Sequence, residues 1–186
     1  MKYNIIYADP PWKFKVWREG MKGNKRSASK HYNVMEWKDL LDLPIKDISD
    51  DNCILFMWVI NPLLHKTFEL LDAWGFEYKT VAFTWVKRNK IADSWFWGLG
   101  YWTRANSELC LLATKGNPKR INKGIHSLVE TRIQEHSKKP DEVRTRIVQL
   151  CGDLPRIELF ARQKTEGWDV WGNEVENSID LMRITE

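Results

Sequence analysis

Apolar residues in this 186-residue chain occur in two arrangements, continuous runs and runs with a helical spacing. Short continuous apolar runs are typical of buried strands, whereas apolar residues three and four positions apart are typical of helices. The continuous runs predict strands at 3–8, 53–59, 76–86, 108–113 and 156–160, with shorter strands near 128–129 and 170–171. The helical spacing predicts helices over 36–41, 61–74 and 140–151. Because strands alternate with helices, the sequence predicts an α/β domain whose sheet is mainly parallel.

The first predicted strand ends abruptly at the tetrapeptide Asp9-Pro10-Pro11-Trp12. Neither proline has an N–H to donate to a neighbouring strand, so the chain must leave the sheet at Asp9. This places a carboxylate, two rigid carbonyls and an indole at the carboxyl end of a strand. Open α/β sheets bind their ligands at the edge formed by the carboxyl ends of their strands.

The groups in this tetrapeptide suit one kind of chemistry. An amino group on an aromatic ring is a poor nucleophile because its lone pair is delocalised into the ring. The Asp9 carboxylate and the Pro10 carbonyl could accept its two N–H groups and free that lone pair, while Trp12 stacks on the base. The alternative is that the tetrapeptide only ends the strand and that Trp12 belongs to the core.

Length and composition narrow the class of protein. A chain with 43% hydrophobic residues and 11 Trp suits one domain, residues 1–186, with a sizeable core. It has no apolar stretch of the roughly 18 residues that span a membrane, and its amino terminus does not have the design of a signal peptide, so we predict a cytoplasmic protein without membrane association. Cys53, Cys110 and Cys151 form no C-x-x-C pair, which indicates buried free thiols. The four histidines have no metal-ligand spacing, so no metal site is predicted.

The net charge of +4 is unevenly distributed along the chain. Residues 13–30 have a net charge of +6 and residues 115–146 a net charge of +5, so the rest of the chain is acidic. Residues 13–33 are also non-periodic and predict a long loop, which in a compact domain is usually functional or disordered. Two basic segments beside a base-binding tetrapeptide favour a nucleic-acid track over ordinary solvated loops.

Four segments of the chain carry a family resemblance. They occur in order over nearly the whole chain, and the set is far more specific than any one of them. They are Tyr7-Ala8-Asp9-Pro10-Pro11-Trp12, Lys115-Gly116-Asn117-Pro118, His136-Ser137-Lys138-Lys139-Pro140-Asp141-Glu142, and Ile157-Glu158-Leu159-Phe160-Ala161-Arg162 with Gly167-Trp168 and Gly172-Asn173-Glu174. The set resembles the adenine-N(6) methyltransferase family that includes the catalytic subunit of the eukaryotic mRNA adenosine methyltransferase and bacterial and phage DNA adenine methylases.

The resemblance implies a fold, a cofactor and a set of site residues. The fold is a Rossmann-like sheet in a circularly permuted order with helices on both faces, and the cofactor is S-adenosylmethionine. The implied catalytic residues are Asp9, Pro10, Pro11 and Trp12. The implied cofactor residues are Ala8, Asp9, Lys139, Leu159, Phe160, Arg162, Asn173 and Glu174. The alternative for Arg162 and Lys139 is a surface charge, and for Asn173 a turn.

Other residues are candidates for contact with the substrate. By resemblance, Tyr32 lies in a loop over the acceptor site and Glu108 lies near the acceptor base. The basic residues Lys25, Arg26 and Lys30, together with Trp12, complete the predicted substrate set. Trp95-Phe96-Trp97 could stack on bases, but with so many Trp in the chain we favour packing for this cluster.

The resemblance implies methylation of the 6-amino group of adenine in nucleic acid. We favour DNA as substrate, leaving RNA adenine methylation and a non-catalytic nucleic-acid-binding subunit as alternatives. The retained Asp9-Pro10-Pro11-Trp12 favours an active enzyme. Specificity must come from the domain's own loops, from a second copy in a homodimer or from a partner.

Overall fold

The computed structural model describes residues 2–12, 35–135 and 137–183. These residues form seven strands and four α-helices. The strands are β1 (Tyr3–Ala8), β2 (Ser49–Val59), β3 (Glu77–Arg88), β4 (Glu108–Lys115), β5 (Leu128–Arg132), β6 (Arg156–Leu159) and β7 (Asp169–Trp171). The helices are α1 (Trp37–Leu41), α2 (Ile45–Ile48), α3 (Leu64–Ala73) and α4 (Asp141–Cys151), with 3-10 turns at Asn61–Leu63 and Leu181–Arg183. The predicted substrate residues Tyr32, Lys25, Arg26 and Lys30 lie outside the described residues.

The seven strands form one sheet in the order β5-β3-β4-β2-β1-β6-β7. Four pairings are parallel, and only β4 is antiparallel to its two neighbours, β2 and β3. The prediction of a mainly parallel, Rossmann-like sheet is therefore confirmed. Because β4 runs the other way, its first residue, Glu108, lies at the edge where the parallel strands end: Leu109 pairs with Val59 and Glu108 with Trp85.

Both faces of the sheet are covered by helices, as expected. Alternate residues of β2 enter two separate hydrophobic clusters, with Leu55 in one and Phe56 in the other. The first cluster includes buried residues of α1, α2 and α3, and the second includes buried residues of α4. Strands that are buried on both faces have continuous apolar sequences, which is why the apolar runs located them.

The structure extends some predicted elements and adds one. β2 begins at Ser49 rather than at residue 53, because its first four residues are polar and gave no apolar signal. Ser49 is nevertheless fully buried, and its hydroxyl donates to the Lys46 carbonyl oxygen at 2.9 Å. Helix α2 was not predicted, since four residues are too few to show a helical spacing.

One of the four family segments lies away from the others. Lys115 ends β4, and because β4 is antiparallel, Lys115-Gly116-Asn117-Pro118 lies at the edge where the parallel strands begin. Lys115 Nζ donates to Ser49 Oγ at 2.9 Å, and the Asn117 N–H donates to Asn52 Oδ1 at 2.8 Å. Gly116 has φ +67°, and a Cβ there would lie 2.0 Å from the Asp51 carbonyl oxygen, so only glycine fits. This segment holds the start of β2 in place.

The three cysteines are free and buried, as predicted. Burial raises the pKa of Cys53 to about 12, so its thiol stays protonated. Among the described residues, no helix is long and apolar enough to cross a membrane.

Candidate active site

The predicted site residues that the structure describes converge at the carboxyl edge of the sheet. Asp9 follows β1 directly, and the register that pairs Ala8 with Leu159 brings the end of β6 beside it. Leu159 pairs in turn with Trp171, so the turns after β6 and β7 are adjacent. The parallel register thus gathers side chains that are up to 165 positions apart in the sequence.

Asp9 belongs to a row of four alternating charges. Lys139 Nζ donates to Asp9 Oδ2 at 2.8 Å and lies 3.4 Å from Glu108 Oε2. Glu108 forms a second ion pair with Lys87, the next-to-last residue of β3. The Lys139 side chain is only 10% exposed, whereas that of Asp9 is 31% exposed. We call Asp9, Lys139, Glu108 and Lys87 the acidic–basic row.

The row sets the protonation of its members. Burial raises the pKa of Asp9 above the ordinary carboxyl value, and the ammonium of Lys139 opposes that rise. Burial also pushes the pKa of Glu108 upward, but Lys139 and Lys87 outweigh it, so the pKa of Glu108 is lowered. Burial would lower the pKa of Lys139, but Asp9 and Glu108 outweigh it and the pKa is raised. Lys139 is therefore a permanent cation between two acids.

The two prolines form a tight turn that is closed by one hydrogen bond. The Trp12 N–H donates to the Pro10 carbonyl oxygen at 2.8 Å, which is a three-residue γ-turn centred on Pro11. The Trp12 indole N–H donates to the Trp58 carbonyl oxygen at 3.3 Å, and its ring stacks on Trp37 with centroids 6.1 Å apart. Trp12 is only 7% exposed, so here it packs as a core residue, and its stacking on a base stays a prediction.

The turn after β6 has a strained backbone. Phe160 has φ +61°, which is unusual for a bulky residue and is typical of functional sites. Its ring packs edge-on against Trp171 with centroids 5.5 Å apart, and the Ala161 N–H donates to the Trp171 carbonyl oxygen at 3.0 Å. A Cβ on Gly172 would lie 2.2 Å from the Ala161 carbonyl oxygen, so only glycine permits this approach. The turns after β6 and β7 are therefore locked together.

The predicted cofactor residues on these two turns also meet. Arg162 Nε lies 3.2 Å from Glu174 Oε1, and both side chains are partly exposed. Asn173, between Gly172 and Glu174, is exposed. The charge of Arg162 also acts to lower the pKa of Asp9, so Arg162 acts electrostatically on the turn that contains Asp9. Arg162, Asn173 and Glu174 therefore lie together at the carboxyl edge of the sheet, on turns that are close to Asp9.

Sequence reasoning missed two charged residues that support the site. Lys87 was not among the predicted site residues. If β3 and β4 had been predicted to pair as neighbouring antiparallel strands, the cation at the end of β3 would have been placed opposite the acid at the start of β4. Arg144 was also missed: its guanidinium binds both carboxylate oxygens of Glu158 at 2.7 Å. Glu158 is a charge inside an apolar strand, which calls for a partner. The Arg144–Glu158 pair fixes α4 to β6 just after Lys139.

Two expectations about loops need correction. Packing was favoured for Trp95-Phe96-Trp97, but Trp97 is 62% exposed. The basic segment 115–146 does not form one exposed track. Lys115 is at the opposite edge of the sheet, and Arg146 donates to Glu142 and to the carbonyl oxygens of His126 and Leu128. Lys115 and Arg146 therefore make their contacts within the fold.

Comparisons with known proteins indicate the family of the chain. A sequence model of the MT-A70 family matches residues 3–174. The type II methyltransferase M.MunI of Mycoplasma sp. is 36% identical over 196 residues, which cover 97% of this chain and 81% of M.MunI. The human N(6)-adenosine-methyltransferase catalytic subunit METTL3 is 28% identical over 94% of this chain, and an MT-A70-like N(6)-adenosine-methyltransferase of Arabidopsis thaliana is 27% identical over 97%. The chain spans only 28% and 24% of the lengths of these two proteins.

Proposed function

The chain belongs to the MT-A70 family of methyltransferases, and we propose that it transfers the methyl group of S-adenosylmethionine to the 6-amino group of adenine in DNA. The observation that carries the proposal is the position of Asp9. Its carboxylate is held by Lys139 at 2.8 Å, at the sheet edge where the turns after β6 and β7 meet. We propose that residues 1–186 act as one methyltransferase domain and that it works in the cytoplasm.

Asp9 is the residue best placed to orient the amino group. Lys139 engages Oδ2, which leaves Oδ1 to accept an amino N–H. The Pro10 carbonyl oxygen already accepts the Trp12 N–H, and its second lone pair can accept the other amino N–H. Two acceptors on one nitrogen draw it toward tetrahedral geometry and free its lone pair for attack. Because the Lys139 ammonium favours the ionised form of Asp9, this carboxylate acts as an acceptor and orienter.

The residues of the site fit the cofactor that the family implies. S-adenosylmethionine supplies an electrophilic methyl group on a sulfonium, together with a carboxylate, ribose hydroxyls and an adenine. Lys139 has three N–H donors, of which Asp9 and Glu108 take two, so one remains for a carboxylate. Glu174 and Asn173 are exposed and suit ribose hydroxyls, and the Phe160 ring suits an adenine. Ala8 and Leu159 line the adjacent strand ends.

DNA is favoured over RNA by the comparison with relatives. The relative that is 36% identical, and of which this chain spans 81%, is a bacterial type II methyltransferase. RNA adenine methylation is the second candidate, because METTL3 matches 94% of this chain at 28% identity. A target adenine in a duplex must leave the base stack to reach Asp9, which costs least in single strands.

Methylation of defined oligonucleotides tests the proposal. The purified chain would be incubated with labelled S-adenosylmethionine and with matched duplex DNA, single-stranded DNA and RNA, followed by nucleoside analysis. We expect label in N(6)-methyladenine, most of it in DNA. The matched control is the same DNA with 2-aminopurine in place of adenine, which moves the amino group and should accept no label. Label on cytosine, or transfer to neither nucleic acid, would show that the proposal is wrong.

A further inference from the structure

The connection between β3 and β4, residues 89–107, is an ordered arm. Two isolated antiparallel bridges, Arg88 with Trp95 and Gly98 with Ala105, fold it into two short hairpins. The side-chain amide of Asn106 fixes the part of this connection next to the sheet, because it donates to the carbonyl oxygens of Lys87 at 2.9 Å and Phe96 at 2.5 Å. We call residues 89–107 the β3–β4 arm. It is held in one shape by its own hydrogen bonds.

The outer hairpin of the β3–β4 arm exposes large apolar side chains to water. Trp97, Leu99 and Trp102 are all exposed, and Trp102 is fully so. Trp102 also has φ +65°, a backbone conformation that bulky residues rarely adopt. A strained, fully exposed tryptophan contributes nothing to the core of this chain. Its position therefore suits contact with another molecule.

The β3–β4 arm leaves the sheet beside the candidate active site. It begins at Asn89, two residues after Lys87, which is part of the acidic–basic row. Glu108, which begins β4 where the arm ends, pairs with both Lys87 and Lys139, and Lys139 binds Asp9. The arm and the catalytic turn are therefore rooted in the same charged row, at the same edge. A nucleic-acid strand with its target base at Asp9 would therefore pass beside the start of the arm.

The charges around the β3–β4 arm favour a polyanion over a second copy of the chain. Four cations lie on the arm or on the strands next to it, namely Arg88, Lys90, Arg104 and Arg132. Two acids, Glu130 and Asp93, pair with Arg88 and Arg132, so these six residues together have a net charge of +2. The Arg88 guanidinium lies 3.8 Å from the centre of the Trp95 ring. Basic residues interleaved with aromatic rings are typical of nucleic-acid surfaces. Two copies of a net positive patch would repel each other in a symmetric dimer.

We propose that the β3–β4 arm is a nucleic-acid contact element in which Trp97 and Trp102 stack on bases adjacent to the target adenine. This inference rests on the proposed function, since it names the substrate surface of the same site. Rings inserted beside a target base stabilise the opened stack, as apolar wedges do in other DNA-binding proteins. The fixed shape of the arm lowers the ordering cost of binding.

Substitution of Trp102 tests the arm directly. Trp102→Ala should lower affinity for a fluorescent DNA oligonucleotide, measured by anisotropy, by roughly 5- to 150-fold, the usual loss for one base–aromatic stack. Trp102→Phe should keep most of the affinity because a phenyl ring still stacks. Affinity for S-adenosylmethionine, measured by calorimetry, should not change in either variant. Since the Trp102 ring is fully exposed, neither change should lower the melting temperature.

The matched control is Ile121→Ala, which removes an apolar side chain that is 72% exposed and lies outside the arm. It should leave DNA affinity unchanged. If the native chain methylates DNA and Trp102→Ala binds DNA equally well, the arm proposal is overturned while the proposed function stands. If the native chain methylates no nucleic acid but Trp102→Ala still weakens oligonucleotide binding, the arm proposal stands and the proposed function fails. Light scattering that shows a dimer broken by Trp102→Ala, with unchanged DNA affinity, would assign the arm to a second copy and overturn the proposal.

Discussion

Two groups of charged side chains at the carboxyl edge of the sheet differ in their contact with water. In the acidic–basic row, Lys139 is largely buried and pairs with both Asp9, which follows β1, and Glu108, which begins β4. In the second group, Arg162 and Glu174 are 38% and 49% exposed and join only the turns after β6 and β7. A buried pair is costly to break, whereas an exposed pair contributes about 0–1 kcal/mol to stability. The row is thus fixed before any ligand binds, and the exposed pair is free to rearrange around one.

Under the proposed function, this difference divides the site into a half that orients the amino group and a half that adapts to the cofactor. The row holds Asp9 in one position, which is what the orientation of an amino group requires. Arg162 and Glu174 can exchange their mutual ion pair for contacts with a bound cofactor at little cost. Substitutions in the row should therefore change catalysis, stability and pH dependence, and substitutions in the exposed pair should change cofactor affinity most, with only a small effect on stability.

The largest effect is expected from Asp9→Ala. The variant removes the acceptor that orients the amino group, so turnover should fall by about 10²- to 10³-fold, as for other preorganised hydrogen bonds to reacting groups. Circular dichroism should show an unchanged fold, and cofactor affinity should fall far less than turnover. Near-native turnover in this variant would falsify the catalytic role of the tetrapeptide.

Lys139→Met tests whether the row is fixed by its central cation. The variant leaves the carboxylates of Asp9 and Glu108 without their shared partner, and removal of one member of a buried pair typically costs about 3–5 kcal/mol. Because Asp9 is 31% exposed, we expect the lower end of that range in urea unfolding. The pKa of Asp9 should rise further without the ammonium, so the acid limb of the pH–activity profile should move to higher pH. Lys138→Met, at a more exposed lysine next in sequence, is the matched control. An unmoved acid limb in Lys139→Met would show that Lys139 does not act through Asp9.

The sequence predicted the features whose chemistry or burial is visible in a few consecutive residues. Strands buried on both faces had continuous apolar runs, and two adjacent prolines fixed the point where β1 ends. The pairing of Asp9 with Lys139 spans 130 positions, so no local pattern could reveal it. The acidic–basic row also depends on β4 being antiparallel, which places Glu108 at the active edge. Apolar periodicity likewise gave no information on whether Trp97 packs or is exposed.

Glu108→Gln should change the acid sensitivity of folding. The pKa of Glu108 in the folded chain is lowered from its ordinary value of 4.5, so the ionised carboxylate stabilises the fold above that pH. This contribution is lost as the pH falls through the lower folded value. The native chain should therefore lose stability below about pH 4.5 more steeply than Glu108→Gln in thermal melts at stepped pH. Glu130→Gln, at an exposed carboxylate paired with Arg88, is the control and should follow the native slope. Equal slopes for all three chains would exclude Glu108 as a buried partner of Lys87 and Lys139.

The smallest effect on the protein itself is expected from Arg162→Ala. The pair with Glu174 is partly exposed, so its loss should change the free energy of unfolding by no more than about 1 kcal/mol. Affinity for S-adenosylmethionine, measured by calorimetry without nucleic acid, should fall by roughly 10- to 150-fold, the equivalent of one hydrogen bond to a charged group. The matched control is Lys164→Ala, which breaks the exposed pair with Glu176 two residues further along the same turn. That variant should match Arg162→Ala in stability but keep native cofactor affinity. Equal cofactor affinities in the two variants would place the cofactor away from the turns after β6 and β7, and the adaptable half of the site would then have another role.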